Sequence, residues 1–513
     1  MNVLALGAGQ EIGRSCIVVN INNKTIMFDC GMHMGYSDSR KFPDFQALSK
    51  TGNFDKIVDC ILISHFHLDH CGALPYFTEV LGYKGPIYMT YPTKAVLPIL
   101  LEDCQKILSM KSHDSNIYSF EDIKKCMEKI VPINMNETVE VSKGFTITAY
   151  YAGHVIGAAM FYVKVGDQSV VYTGDYSTTA DQHLGTAWID TLRPDLMITE
   201  STYGSVIRDC RKAKEREFLQ SIHNCIERGG KTLIPIFALG RAQEICLIVE
   251  SYWERMGLEI PVYFAGGMTE KANEIYKRFI NYTNESVREK ILEKNVFEFS
   301  HIKPYRKGSE LQGPCVIFSS PGMLHSGTSL RIFKNICSDP RNLVILPGYC
   351  VRGTLGDRVL NGSRKERIEN EERAINLEVK NIAFSAHADT CGIMKIIDQC
   401  RPKSLMLVHG EKARMKVLQK NIRNEFHIPV YMPPNGVVLS ISTNDTVKIY
   451  LDKHVLRKYI DPAKSSQPIN LIVDIEKRDG QLWATSVDKY IIDSYSTAQV
   501  DTSDKNMTED KVQ

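Results

Sequence analysis

The sequence carries almost no net charge. Its 62 Lys and Arg stand against 60 Asp and Glu, leaving +2 over 513 residues. That excludes a bulk polycation, so any contact with nucleic acid has to use local basic patches. There is no Cys-x-x-Cys pair among the 14 scattered cysteines. Many lie inside apolar runs, as Cys60 and Cys246 do, the pattern of reduced thiols in a cytosolic or nuclear protein rather than a disulfide framework. No apolar segment approaches the ~20 residues of a membrane span. The opening MNVLALGAGQ has no basic region and only a short apolar run, unlike a signal peptide. The expectation is a soluble intracellular chain with no membrane partner. Internal repeats, low-complexity tracts and RNP-type or aromatic-interleaved motifs are also missing, so sequence specificity toward a nucleic acid is expected to come from partner proteins.

Apolar residues make up 43% of the chain, enough for sizeable cores. The length exceeds one ordinary domain, which favours two large units or one domain interrupted by another. The first third reads as strand-rich. Ile17 to Ile21 and Thr25 to Asp29 flank Asn22-Asn23 as a hairpin. Asp59 to Ser64, Phe145 to Tyr151, Met160 to Val165 and Ser169 to Tyr172 read as further strands, with a helical pattern over Thr93 to Lys106. From about Tyr203 to Glu378, charged helices such as Arg211 to Ile226 alternate with buried strands at Lys231 to Phe237, Val262 to Phe264, Cys315 to Ser319 and Leu343 to Pro347. That alternation predicts a parallel α/β sheet. After Asn381 short strands and turns return. Near the C-terminus, Ile469 to Glu476, Arg478-Asp479-Gly480 and Gln481 to Ser486 read as a hairpin. The polar stretch from about Ser496 is expected to lack structure.

One stretch concentrates chemistry. Ile63 to Gly72 reads ISHFHLDHCG, directly behind the apolar run Cys60 to Ile63. Residues two apart in a loop can point the same way, so His65 and His67 can grip one metal while Asp69 and His70 turn toward a second. A lone histidine here would be an ordinary surface residue; His-x-His-x-Asp-His behind a buried strand is not. Metal sites need three or four ligands, and the remaining candidates share one logic, an apolar strand ending in a potential ligand. They are Asp29 in IMFDCGMH, His154 in YYAGHVIGAA, Asp175 in VVYTGDY, Glu200 in LMITEST, His387 in IAFSAHAD and His409 in LMLVHGE. Taken singly, each could equally be a capping or turn residue. His113, His223, His427 and His454 read as surface residues; His33, His183, His301 and His325 receive no ligand role. Arg208, Arg211 and Lys212, and later Arg364, Lys365 and Arg367, form basic clusters that could neutralise phosphates or simply be solvated helix faces.

In this order the residues resemble the metallo-β-lactamase fold, and more narrowly its β-CASP nuclease branch. Asp29, the His65–His70 block, His154 and Asp175 match the four metallo-β-lactamase motifs; Glu200, His387 and His409 match the three β-CASP motifs. The resemblance covers roughly Met1 to Lys453, with landmarks LIPIFALGRAQE, SSPGMLHSG and LPGYCVRGT in the insert. Within the branch the chain is similar to the RNA 3′-end processing endonucleases, GAGQEIGRSCI and ISHFHLDHCGALPYF being shared by the Integrator and cleavage-and-polyadenylation types. GMHMGYSDSRKFPDF and PVYFAGGMTEKANEIYK favour the Integrator type.

The resemblance implies an α/β protein: a metallo-β-lactamase αββα sandwich interrupted by an inserted α/β β-CASP domain with a parallel sheet, plus a small C-terminal α+β region. The expected division is residues 1–202 and 379–453 for the sandwich, 203–378 for the insert, 454–495 for a partner-binding region and 496–513 for a disordered tail. It further implies two zinc ions. His65, His67 and His154 hold one, Asp69, His70 and His409 the other; Asp175 bridges them and Asp29 orients ligands from behind. Paired metals ~3.5–4 Å apart activate a water for in-line attack on phosphorus. His387 is the expected general acid for the leaving 3′ oxygen, with Glu200 stabilising its protonated form. The products would be a 5′ phosphate and a 3′ hydroxyl. The expected substrate is single-stranded RNA, admitted through a narrow cleft between sandwich and insert. The expected partners are an inactive β-CASP sister subunit and other subunits of an Integrator-type complex in the nucleus, with the cytoplasm as a further location. A DNA nuclease of the same superfamily is the competing reading, and His409 argues against it, because the DNA-repair members have an apolar residue there. A small-molecule hydrolase would need neither the large insert nor a Glu200–His387 pair, and a catalytically dead scaffold would not keep all seven ligands.

Overall fold

The computed structural model describes residues 1–443 apart from 37, 112–116, 209, 238, 266–273, 291–294, 307–309, 349, 351–352 and 370, and beyond them strands at Ile449–Leu451, Leu471–Arg478, Gln481–Tyr490 and Lys511–Val512. Parts of the landmark segments 233–244, 346–354 and 261–277 therefore lie outside the described residues, as do His113, His454 and most of the polar tail. By contacts the chain divides into Met1–Ile441 and Ser442–Gln513.

The first unit is built on three large sheets. One runs, in spatial order, Val438–Ser440, Asn2–Gly7, Cys16–Ile21, Lys24–Phe28, Cys60–Leu62, Ile87–Thr90 and Ile130–Ile133. Its second and third strands in chain order form the expected hairpin, and Asn22 and Asn23 both take positive φ (44° and 61°). Asparagine tolerates that region better than most residues, which is why an Asn-Asn pair can turn the chain there. The second sheet runs Val430–Tyr431, Leu405–Val408, Leu196–Glu200, Gln168–Tyr172, Ala159–Val165, Phe145–Tyr151 and Thr138–Ser142. The two sheets face each other across a core of Val3, Ile17, Val19, Phe28 and Leu62 on one side and Ile147, Phe161, Val170 and Ile198 on the other. Alternate residues of the same strands face outward: Leu6, Val18 and Ile61 join Leu97, Leu101, Ile123 and Cys126 of the helices Tyr91–Lys111 and Phe120–Glu128. Helices Thr390–Cys400 and Lys412–Phe426 cover the second sheet's outer face. The period-2 alternation thus yields the expected αββα sandwich.

The third sheet belongs to the insert and is parallel throughout: Ile302–Pro304, Val262–Ala265, Cys315–Ser319, Lys231–Pro235, Leu343–Leu346 and Glu378–Asn381. Its four inner strands are largely apolar and buried because both faces are covered, while the edge strands Ile302–Pro304 and Glu378–Asn381 are more polar and exposed. Val316, Phe318 and Ile345 pack under helices Arg211–Glu227 and Arg241–Met256, while Cys315, Ile317 and Val344 pack under Gly327–Ile336. One local expectation fails. IAFSAHAD is no strand: the last strand ends at Asn381 and residues 382–389 are irregular. The apolar residues Ile382 and Phe384 that suggested a strand instead anchor this loop to the insert's core.

In the second unit the C-terminal hairpin forms, Leu471–Arg478 pairing antiparallel with Gln481–Tyr490 and Arg478 facing Gln481. Among the described residues this unit contains strands only; Lys511–Val512 pairs with Ile449–Tyr450. All fourteen cysteines are unpaired, twelve of them buried.

Candidate metal centre

Asp29, His65, His154, Asp175, Glu200 and His409 lie at or just beyond the carboxyl ends of strands, and parallel pairings bring most of these ends together. Asp29 follows Lys24–Phe28 and His65 follows Cys60–Leu62, which run parallel. Asp175, Glu200 and His409 follow or end three parallel neighbours of the other sheet. Loops beyond strand carboxyl ends are where open α/β sheets place their sites. Close packing locks the loops. A Cβ on Gly31 would lie 1.7 Å from the Asp69 carbonyl oxygen, so only glycine lets the two ligand-bearing segments touch.

The donors fall into two groups that meet at one carboxylate. His65, His67, His154 and Asp175 form the first, and Asp69, His70 and His409 the second, each with its ligand atoms within 4.8 Å of one another. In the first, His67 Nδ1 lies 3.0 Å from His65 Nε2 and 3.1 Å from His154 Nε2. Asp175 Oδ2 is 3.8 Å from both Nε2 atoms. In the second, His409 Nε2 is 3.3 Å from Asp69 Oδ2 and His70 Nε2 is 3.8 Å from it. Asp175 reaches this group with both oxygens, Oδ2 at 3.3 Å from His70 Nε2 and Oδ1 at 3.4 Å from His409 Nδ1.

Partners behind the ligands fix their orientation. Asp29 is fully buried and accepts from Ser64 N–H at 2.7 Å, Ser64 Oγ at 2.8 Å, Tyr172 Oη at 2.7 Å and His70 Nδ1 at 2.7 Å. His70 thereby turns Nε2 inward. His154 Nδ1 donates to the Ala386 carbonyl at 2.8 Å. A carboxylate or carbonyl on the second nitrogen is the usual support of a metal-binding imidazole.

Electrostatics differ between the groups. Burial pushes His65 and His154 well below the ordinary histidine range and His67 down to about 4, so these imidazoles stay neutral, the ligand form. Burial also presses on His70 and His409, but Asp175 with Asp29 and Asp69 overcomes it in His70, and Asp175 with Asp69 in His409, so both are raised. Four carboxylates, Asp29, Asp69, Asp175 and Glu200, converge here, three of them nearly inaccessible. That surplus of buried negative charge calls for cations. Two inward atoms, His70 Nε2 and Asp175 Oδ1, meet no hydrogen-bond partner among the described residues. Unpaired buried acceptors among imidazoles and carboxylates fit divalent metal, and the donor types suit zinc.

Beside the metal-ligand groups, His387 Nδ1 lies 2.9 Å from Glu200 Oε2 and 3.7 Å from Asp175 Oδ2. Glu200 is itself held by Tyr176 N–H on Oε1 at 2.9 Å and the Thr202 hydroxyl on Oε2 at 2.7 Å. The same hydroxyl lies 3.0 Å from His409 Nδ1. All ten residues singled out in the sequence for the site therefore come together. Ser64, Tyr172 and Thr202 were not anticipated, because a hydroxyl among strand residues carries no local signal. His183 is buried against Asp181, Nδ1 to Oδ1 2.9 Å, away from the ligands. Arg211 pairs with Glu215 and the buried Glu244, and Lys365 pairs with Glu372 at the exposed surface of a small hairpin.

Comparisons with known proteins bear on this geometry. Residues 18–201 match the metallo-beta-lactamase superfamily domain, 242–359 the Beta-Casp domain, and 372–433 the Zn-dependent metallo-hydrolase RNA specificity domain. The chain is 52% identical over 460 residues to Integrator complex subunit 11 of Gallus gallus, covering 89% of this chain and 77% of the relative. It is 46% identical over 487 residues to cleavage and polyadenylation specificity factor subunit 3-II of Arabidopsis thaliana, covering 94% and 79%. A crystal structure of a protein of unknown function from Enterococcus faecalis V583 superposes with a TM-score of 0.52 at 14% identity, covering 85% of this chain and 99% of that one, which speaks for the fold alone. Identity of this extent, three matching domains and a converged donor set place the chain: it belongs to the β-CASP metallo-β-lactamase family of metal-dependent endonucleases, in the branch of Integrator complex subunit 11.

Proposed function

We propose that the chain is a zinc-dependent endoribonuclease of RNA 3′-end processing. It hydrolyses phosphodiester bonds in small nuclear RNA precursors and nascent transcripts as the catalytic subunit of an Integrator-type complex in the nucleus. The observation that carries this reading is the sharing of Asp175 between two donor groups, with the Glu200–His387 pair alongside. His65, His67 and His154 would hold one zinc and Asp69, His70 and His409 the other, Asp175 lying between. Zinc held there would supply a water whose pKa is lowered to about 7 and positive charge to offset a phosphodiester.

The chain's own residues supply the rest. His387 is a fifth exposed, whereas His65, His70, His154 and His409 are buried. Its Nδ1 faces Glu200, which leaves Nε2 to carry the proton for the 3′ oxygen. Glu200 cannot swing away, because Tyr176 and Thr202 occupy its two oxygens. Asp29 keeps His70 in one tautomer by accepting from Nδ1. The expected partner is an inactive β-CASP sister subunit, with residues 454–495 as its docking region. Matched single-stranded RNA and DNA oligonucleotides test the assignment. RNA should be cut faster, leaving 5′-phosphate and 3′-hydroxyl ends, with duplex RNA resistant; faster cutting of DNA would overturn the assignment.

A further inference from the structure

The loop that carries His387 has neither helix nor strand of its own. A general acid gains its effect from position, so something outside the loop has to fix it. One guanidinium does. Arg208 Nη1 donates to the His387 carbonyl at 2.7 Å and the Ser385 carbonyl at 3.2 Å, and Nη2 to Ser385 Oγ at 2.8 Å. The Arg208 backbone N–H donates to Asp389 Oδ2 at 3.0 Å, while Asp389 Oδ1 caps the following helix through Gly392 N–H at 2.9 Å. The guanidinium also lies over the Tyr203 ring, 4.1 Å from its centroid. That ring stands 5.9 Å from the His387 imidazole, and Tyr203 and Asp389 form a parallel β-bridge. The first residues of the insert thus clasp the loop that leaves it, from the backbone side, and leave the imidazole free.

We propose that Arg208 is the positioning residue of the general acid. It fixes the backbone of His387 so that Nδ1 stays on Glu200 and Nε2 faces the leaving oxygen, and it is not a phosphate ligand. The inference rests on the reading of His387 as the acid. It depends on the shape of the group: a guanidinium presents its N–H groups from separate nitrogens in a fixed planar fork, here Nη1 and Nη2, whereas the three donors of an ammonium radiate from a single nitrogen.

The test uses the full chain with Arg208→Lys and His387→Ala, and two single-stranded RNAs that differ only in oxygen or sulfur at the 3′ leaving position. A thiol of pKa ~8.5 leaves as the anion without a proton donor. Arg208→Lys should lose about 10–100-fold in kcat on the oxygen substrate. Its KM and zinc content should stay at wild-type values, and sulfur should restore its rate to within about threefold. An equal loss on both substrates, or a raised KM with kcat intact, would overturn the inference, the latter pointing to phosphate binding. His387→Ala separates the two levels. If sulfur fails to rescue it, the general-acid reading falls; if sulfur rescues it but not Arg208→Lys, only the role of Arg208 falls.

Discussion

Between His65 and His70 four donor side chains share six consecutive positions, whereas Glu200 and His387, also in contact, lie 187 residues apart. The first arrangement is local. A three-residue strand and a four-residue helix, Cys60–Leu62 and Leu68–Cys71, present the donors from one tight loop. The second closes only when the whole insert has folded and returned the chain to the sandwich. Burial is uneven in both: His65 and His70 are almost inaccessible while Asp69 is 30% exposed, and Glu200 is buried while His387 is 21% exposed. The halves differ in chain distance, a local loop against a contact that needs the whole insert.

That contrast can be broken first at the residue the halves share. Asp175→Ala should remove both zinc and activity, with cleavage down by roughly 10³-fold or more, whereas His387→Ala should keep about two zinc per chain and lose roughly 10²–10⁴-fold in rate. Metal analysis beside rate measurement checks this; zinc lost from the His387 variant would erase the distinction. Behind the ligands, Asp29→Ala should weaken zinc binding by about 10–100-fold, read by competition with a chelator of known affinity. Ser64, Tyr172 and His70 would be left facing a void, and hydrogen bonds to a buried charge carry ~1.5–3 kcal/mol each, so the melting temperature should fall as well. The smallest effect belongs to Thr202, whose hydroxyl touches both halves. Thr202→Val keeps the shape and should cost about 3–10-fold in kcat, a loss of ~1 kcal/mol, with zinc content unchanged.

The same contrast explains what the sequence reveals. The His65–His70 block is legible because its donors are neighbours in the chain and follow an apolar strand. His154, Asp175 and His409 are legible as strand-end polar residues, and for Asp175 and His409 parallel pairing through Leu196–Glu200 turns that pattern into proximity. The strand-rich first third and the parallel insert are legible from their apolar runs, while the αββα arrangement follows from the resemblance to the metallo-β-lactamase fold. What sequence cannot offer is the partner of a side chain whose contact is distant and ordinary. Arg208 reads as a phosphate contact or a solvated surface residue, since nothing near it announces the carbonyls of Ser385 and His387. Thr202 reads as any threonine after a strand. The segment 382–389 reads as a strand because Ile382 and Phe384 are apolar, although they serve as anchors for a loop.

One contact has a consequence in time as well as in space. His154 is steadied by the carbonyl of Ala386, and His409 completes the second donor group. A ribosome adding ~5–20 residues per second makes the first three ligand-bearing segments long before either of these exists. A chain of the first two hundred residues would carry the whole first donor group, but without the Ala386 carbonyl that steadies His154 and with only two of the three donors of the second group. The full donor set exists only once translation has passed His409.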